Sequence, residues 1–152
     1  MPTKHSLTVP GQYREIRQLC QFVMDGAKEA GLDETALFHV ELACDEACTN
    51  IIEHGYQGEG KGTITVSWEI VPDAFVITIH DNGRAFDPDE VPPPPEFDDT
   101  NTAANIKNLK TGGLGLHFIR SLMDSVHYQF SPNGNTLTLI KKRPSAKGSN
   151  TS

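Results

Sequence analysis

Cysteine is scarce in this chain of 152 residues: three residues, an odd number, give no disulfide framework, and a reducing, cytoplasmic setting is the expectation. Long apolar runs are missing too. The apolar stretches are short pieces such as Phe75-Val76-Ile77, far below the ~20 residues of a membrane span, so no membrane partner is expected. Positive charge is in deficit, with 13 Lys plus Arg against 20 Asp plus Glu and a net charge of −7. Without a global basic field, nucleic acid is not an expected partner. The opening MPTKHSLTVP has no apolar h-region or small-residue cleavage site, so no secretory signal is expected. Zinc spacing is absent: there is no C-x-x-C pair and no H-E-x-x-H, and Cys44 falls on a core stripe.

What is present reads as one domain. A short alternating piece, His5 to Val9, turns at Pro10-Gly11 into a helical pattern over residues 13 to 30. Ile16, Leu19, Val23, Ala27 and Ala30 form its stripe, and Gly31 is placed to cap it. Asp33 can N-cap a second helix with the stripe Leu37, Val40, Cys44, Ala47 and Ile51, ending at Gly55. The period then changes to two. Ile64, Val66, Trp68 and Ile70 alternate with polar residues, Pro72-Asp73 turns the chain, and Phe75, Ile77 and Ile79 continue the alternation, which predicts an antiparallel hairpin. A second hairpin is predicted from Val126, Tyr128 and Phe130, a Pro132-Asn133-Gly134 turn, and Leu137 with Leu139.

Between the hairpins, residues 87 to 111 hold four consecutive prolines, Pro92 to Pro95, and little apolar content, which predicts a long irregular loop. A third helix is predicted from Gly113, with Phe118, Ile119, Leu122 and Val126 inward. Residues 143 to 152 read as a flexible tail. Helices and hairpins with one apolar face each predict an α+β two-layer sandwich: a mixed, mainly antiparallel sheet covered on one face by helices.

Three constellations carry chemistry. Glu46 and Asn50, four apart, share a helix face that His54 continues; a carboxylate there can accept a proton and an amide oxygen can ligate a hard cation. The same pair is also an ordinary solvated helix face. Asp81-Asn82-Gly83-Arg84-Ala85-Phe86 follows a strand, where Asp81 can meet a ligand amino group and Gly83 permits close approach, or where a plain turn can form. Thr111-Gly112-Gly113-Leu114-Gly115-Leu116 opens a helix and can cradle an anion with backbone amides, or simply cap the helix. No Walker A lysine follows it.

In this order, and with the stretches ELACDEACTNIIEHGY and GGLGLHFIRSLMDSVHY, the chain from about His5 to Lys142 resembles the GHKL (histidine-kinase-like) ATPase superfamily. Within it, the chain resembles the bacterial anti-sigma-factor serine/threonine kinases of the RsbW/SpoIIAB type. The resemblance implies a Bergerat-type ATP-binding fold over residues 1–142 with a lid at about 87–112. It implies that Glu46 is the general base, that Asn50 holds Mg²⁺ and that Asp81 receives the adenine amino group, with Gly83 making room, Phe86 beside it and Thr136 supporting that contact. His54 and Lys110 would lie at the phosphates, and Gly112, Gly113, Leu114, Gly115 and Leu116 would form the phosphate cradle. It further implies ATP and Mg²⁺ as cofactors, a sigma factor and a STAS-domain anti-anti-sigma protein as partners, and a homodimer. No arginine stands between Arg84 and Arg120, so an ATP-gated binding module without phosphoryl transfer is the alternative expectation.

Overall fold

The computed structural model describes residues 4–84 and 115–144, with the backbone alone for 115–118. Phe86, Lys110, Gly112, Gly113, Leu114, the expected lid and the tail from residue 145 lie outside the described residues. The order is β1 (Lys4–Pro10), α1 (Tyr13–Glu29), α2 (Glu34–Asn50), a single π-helical turn (Ile51–Gly55), β2 (Thr63–Val71), β3 (Ala74–Asp81), α3 (Gly115–Leu122), β4 (Ser125–Ser131) and β5 (Gly134–Lys142).

The five strands form one sheet in the order β1-β2-β3-β5-β4, and the helices pack on one face. The two-layer α+β sandwich is thus borne out. Every pairing among the described strands is antiparallel, so the mixed component of the expectation is absent from them. Strand parity sorts the faces. Ile64, Val66, Phe75, Ile77, Ile79, Leu137 and Leu139 are buried beneath the helices, where they meet Leu19 and Val23 of α1, Val40 and Ala47 of α2, and Ile119 of α3. Val126 belongs to β4, not to the third helix, because α3 ends at Leu122.

Local chemistry sets the helix ends. After Ala30, Gly31 takes φ +83°, a left-handed value that glycine adopts without steric cost. Asp33 then accepts a hydrogen bond from the Ala36 amide at 2.8 Å, the expected N-cap. Gly26 is buried mid-helix for a steric reason: a Cβ there would come within 2.4 Å of the Trp68 ring. Trp68, on β2, also stacks on His5 of β1 with ring centroids 4.1 Å apart. Hydroxyl pairs, Ser6 with Ser67 at 2.7 Å and Thr8 with Thr65 at 2.8 Å, fasten β1 to β2 on the other face. At the far end of β5, Arg143 donates to the carbonyls of Ala30, Val71 and Pro72.

Candidate nucleotide site

The site forms where α2 runs into its π turn and where β3 and β5 meet at one end of the sheet. The turn widens the backbone by one residue at Ile51–Gly55 and brings Gly55 against the end of β3. The contact admits nothing larger than glycine: a Cβ on Gly83 would stand 2.6 Å from the Gly55 carbonyl carbon. Arg84 completes the seam, its amide donating to the Gly55 carbonyl and its Nε to the His54 carbonyl, each at 2.9 Å. Tyr56, just past the turn, donates its hydroxyl to the Thr63 carbonyl and accepts the Asn82 amide at 2.9 Å. One phenol thus ties the turn, β2 and the segment after β3 together.

Asp81, 5% exposed, is the last residue of β3 and points toward the helices with Ile77 and Ile79. Its Oδ1 accepts two hydrogen bonds, from the Gly83 amide at 2.8 Å and from Asn135 Nδ2 at 3.1 Å. Asn135 also donates to the Gly83 carbonyl at 3.0 Å and is itself 3% exposed. With Oδ1 doubly engaged, the carboxylate is held in one orientation. No described residue bonds to Oδ2, which remains an acceptor for a ligand's N–H.

Thr136 is not brought to Asp81. It pairs in register with His80, and its hydroxyl lies 3.2 Å from His80 Nδ1 on the sheet face away from the helices. The physical reason is strand parity, since neighbours on β5 point to opposite faces. Asn135 is the residue that the sequence reading missed. The signal was available: Asn135, Leu137 and Leu139 share parity, and the leucines were already placed in the core.

Glu46 and Asn50 lie one turn apart on α2, Glu46 half-buried and Asn50 3% exposed. Burial, and then the negative charges of Asp45 and Glu53, push the Glu46 carboxyl up to about 7, the range suited to accepting a proton near neutrality. Asn50 Oδ1 is buried with no hydrogen-bond partner among the described residues. An orphaned amide oxygen is a hard donor that fits Mg²⁺ better than it fits an apolar neighbour. His54 ends this line, half-buried in the π turn. Gly115 opens α3, which packs on α2, and the backbone of Leu116 lies in its first turn.

Comparison with known proteins gives the family and the fold. A sequence model described as the histidine kinase-like ATPase domain matches residues 9–141. The chain belongs to that family, in the branch of the RsbW serine-protein kinases. The serine-protein kinase RsbW of Listeria innocua is 34% identical over 127 residues, spanning 83% of this chain and 79% of the relative. That of Halalkalibacterium halodurans is 31% identical over 140 residues, 92% of this chain and 83% of the relative. Among solved structures, the RsbU and RsbW domains of a Mycobacterium tuberculosis protein match with TM-score 0.61 at 18% identity, over 94% of this chain and 34% of that one. The histidine kinase domain of a blue-light activated kinase from Erythrobacter litoralis matches with TM-score 0.50 at 12% identity, over 93% of this chain and 64% of that one. These two likenesses concern the fold.

Proposed function

We propose that this chain is an anti-sigma regulatory factor that sequesters a sigma factor and phosphorylates a STAS-type anti-anti-sigma protein on serine or threonine. Mg-ATP, when bound, supplies the γ-phosphoryl group and the metal charge that screens it. Asp81 would orient the adenine through Oδ2, Asn135 keeps that carboxylate in place, and Asn50 would offer Mg²⁺ its Oδ1, which has no partner among the described residues. Glu46 takes the proton from the attacking hydroxyl, and its raised pKa leaves a working fraction of carboxylate at pH 7. His54, Lys110 and the segment from Gly112 to Leu116 are assigned to the phosphates, and Phe86 to the adenine side. The observation that carries this reading is the pairing of Glu46 with an unpartnered buried amide oxygen one helical turn away.

The test is transfer from γ-labelled Mg-ATP to a purified STAS-type protein from the same source, with ATP affinity measured separately. Wild type labels the protein on serine or threonine; Glu46→Gln binds ATP but does not label it. Unchanged transfer by Glu46→Gln removes Glu46 as base. Binding that differs between ATP and ADP with no phosphoprotein formed selects the nucleotide-gated module, the second reading favoured by the lack of arginine between Arg84 and Arg120.

A homodimer through the edge strand β1 and helix α1 belongs to the same proposal. β1 is an edge strand among the described ones, and a groove of about 620 Å³ between it and α1 is lined by Leu7, Arg14, Gln18 and Phe22 among others. A monomeric mass by light scattering at high concentration contradicts it. A cytoplasmic location accords with these partners.

A further inference from the structure

The helical layer carries a second groove that faces away from the sheet, and none of its lining residues is among those assigned to the nucleotide. It lies between α1 and α2, has a volume of about 440 Å³, and is lined by Tyr13, Ile16, Cys20, Glu41, Leu42 and Asp45, with Arg17 as its one base. Of the two large apolar side chains most exposed among the described residues, Tyr13, 44% exposed, lines the groove, and Phe38, 58% exposed, stands one helical turn before Leu42 on α2. Two aromatic rings left in water on one helix pair, beside the groove, mark a contact surface.

Charge indicates what fits. α2 contains four acids and no lysine or arginine, and Glu34, Glu41 and Asp45 are exposed on its outer side beside Phe38. Glu53 extends the negative stripe to Tyr13, whose hydroxyl it accepts at 3.3 Å. From Phe38 to Glu53 the stripe runs about 22 Å, roughly four turns of helix. Strand addition has nothing to pair with, because the backbone groups on both walls are already used within helices. Among the described residues, no helix of a second copy offers a continuous basic face to the groove. On α1, Arg14, Arg17 and Lys28 share one side, but Asp25 interrupts it and Arg14 and Arg17 line the groove assigned to the homodimer; α2 is acidic, and α3 has Arg120 alone.

We infer that the groove between α1 and α2 docks a basic amphipathic helix of a partner protein, its apolar side chains against Phe38 and Leu42 and its lysines or arginines against Glu41 and Asp45. Docking there does not require nucleotide, so it stands or falls independently of phosphoryl transfer.

The test uses the full chain, isotope-labelled for NMR and without ATP. The probe is a synthetic helical peptide of about four turns, with leucines at i, i+3, i+4 and i+7 and flanking lysines, beside a scrambled peptide of equal composition. The expected result is saturable shifts confined to residues 13–21 and 38–45, with none from the scrambled peptide. Phe38→Ser, and separately Glu41→Lys with Asp45→Lys, should each weaken binding at least about tenfold; all three positions are exposed, so the fold survives. Absence of saturable shifts, shifts centred elsewhere, or equal binding by the scrambled peptide overturns the inference. So does a change in the sedimentation of the chain alone on Phe38→Ser, which would make the groove a contact between copies.

Discussion

Asp81 and Asn135 face each other in register across β3 and β5, and the 3.1 Å amide hydrogen bond between them is one of the two that hold the carboxylate assigned to the adenine. Removing the amide should therefore weaken ATP binding without touching any phosphate contact. Asn135→Ala is expected to lower ATP affinity about tenfold or more and to cost about 1–3 kcal/mol of stability, since it strips one of two donors from a buried carboxylate. Thr136→Val, on the opposite face, should leave ATP affinity within about twofold, because among the described residues its hydroxyl meets His80 and not Asp81. Calorimetric titration of both variants checks the assignment; the reverse ranking would return the role to Thr136.

The Glu46 carboxyl is raised to about 7 by burial and by neighbouring acids; with Glu46 as the proposed base, the phosphoryl-transfer rate is expected to show a rising limb centred near that pH. Stability follows the opposite sense. The folded state holds the Glu46 proton more tightly than the unfolded chain does, so the favourable contribution is complete below the ordinary glutamate range and is lost as pH rises through about 7. Glu46→Gln should be as stable as wild type in acid and more stable above pH 7. Thermal melts at both ends of the range, beside a pH–rate profile, read the two limbs.

Gly26→Ala tests the packing of α1. Helix propensity alone favours alanine by about 1 kcal/mol, but the new methyl would meet the Trp68 ring at 2.4 Å. Overpacking of this kind costs about 1–3 kcal/mol, so a net loss of up to about 2 kcal/mol is expected from urea denaturation. A gain in stability would mean that the ring moves aside at little cost.

Tyr56→Phe removes one oxygen that serves two backbone groups, the Thr63 carbonyl and the Asn82 amide. A loss of about 1–3 kcal/mol is expected, together with weaker ATP binding, since Asn82 directly follows Asp81. Equal stability and affinity in the variant would show that water replaces the hydroxyl.

Periodicity made the frame legible. The stripe from Ile16 to Ala30 and the alternations from Ile64 to Ile79 were readable because each buries one face, and burial imposes a period. Gly31 and Asp33 were readable because their backbone and capping roles are local. The π turn at Ile51–Gly55 was not, because periodicity carries no mark of one extra residue in a turn, and the close approach of Gly55 to Gly83 joins residues distant in sequence. Glu46, Asn50 and Asp81 were singled out by the resemblance, on spacings that also fit a solvated helix face and a plain turn, whereas Asn135 escaped: the choice between it and Thr136 is a choice of strand face, and a one-residue offset reverses the face. Tyr56 gave no sequence signal, since its role depends on two hydrogen bonds across three elements.

The stack of His5 on Trp68 makes the edge strand self-reporting. Trp68 is the sole tryptophan of the chain, and it lies against β1, the strand to which the homodimer contact is assigned. The indole's emission is therefore a built-in optical gauge of whether that margin of the sheet is zipped, peeled or covered. Events at the margin become visible without a label, at a site remote in sequence from Glu46.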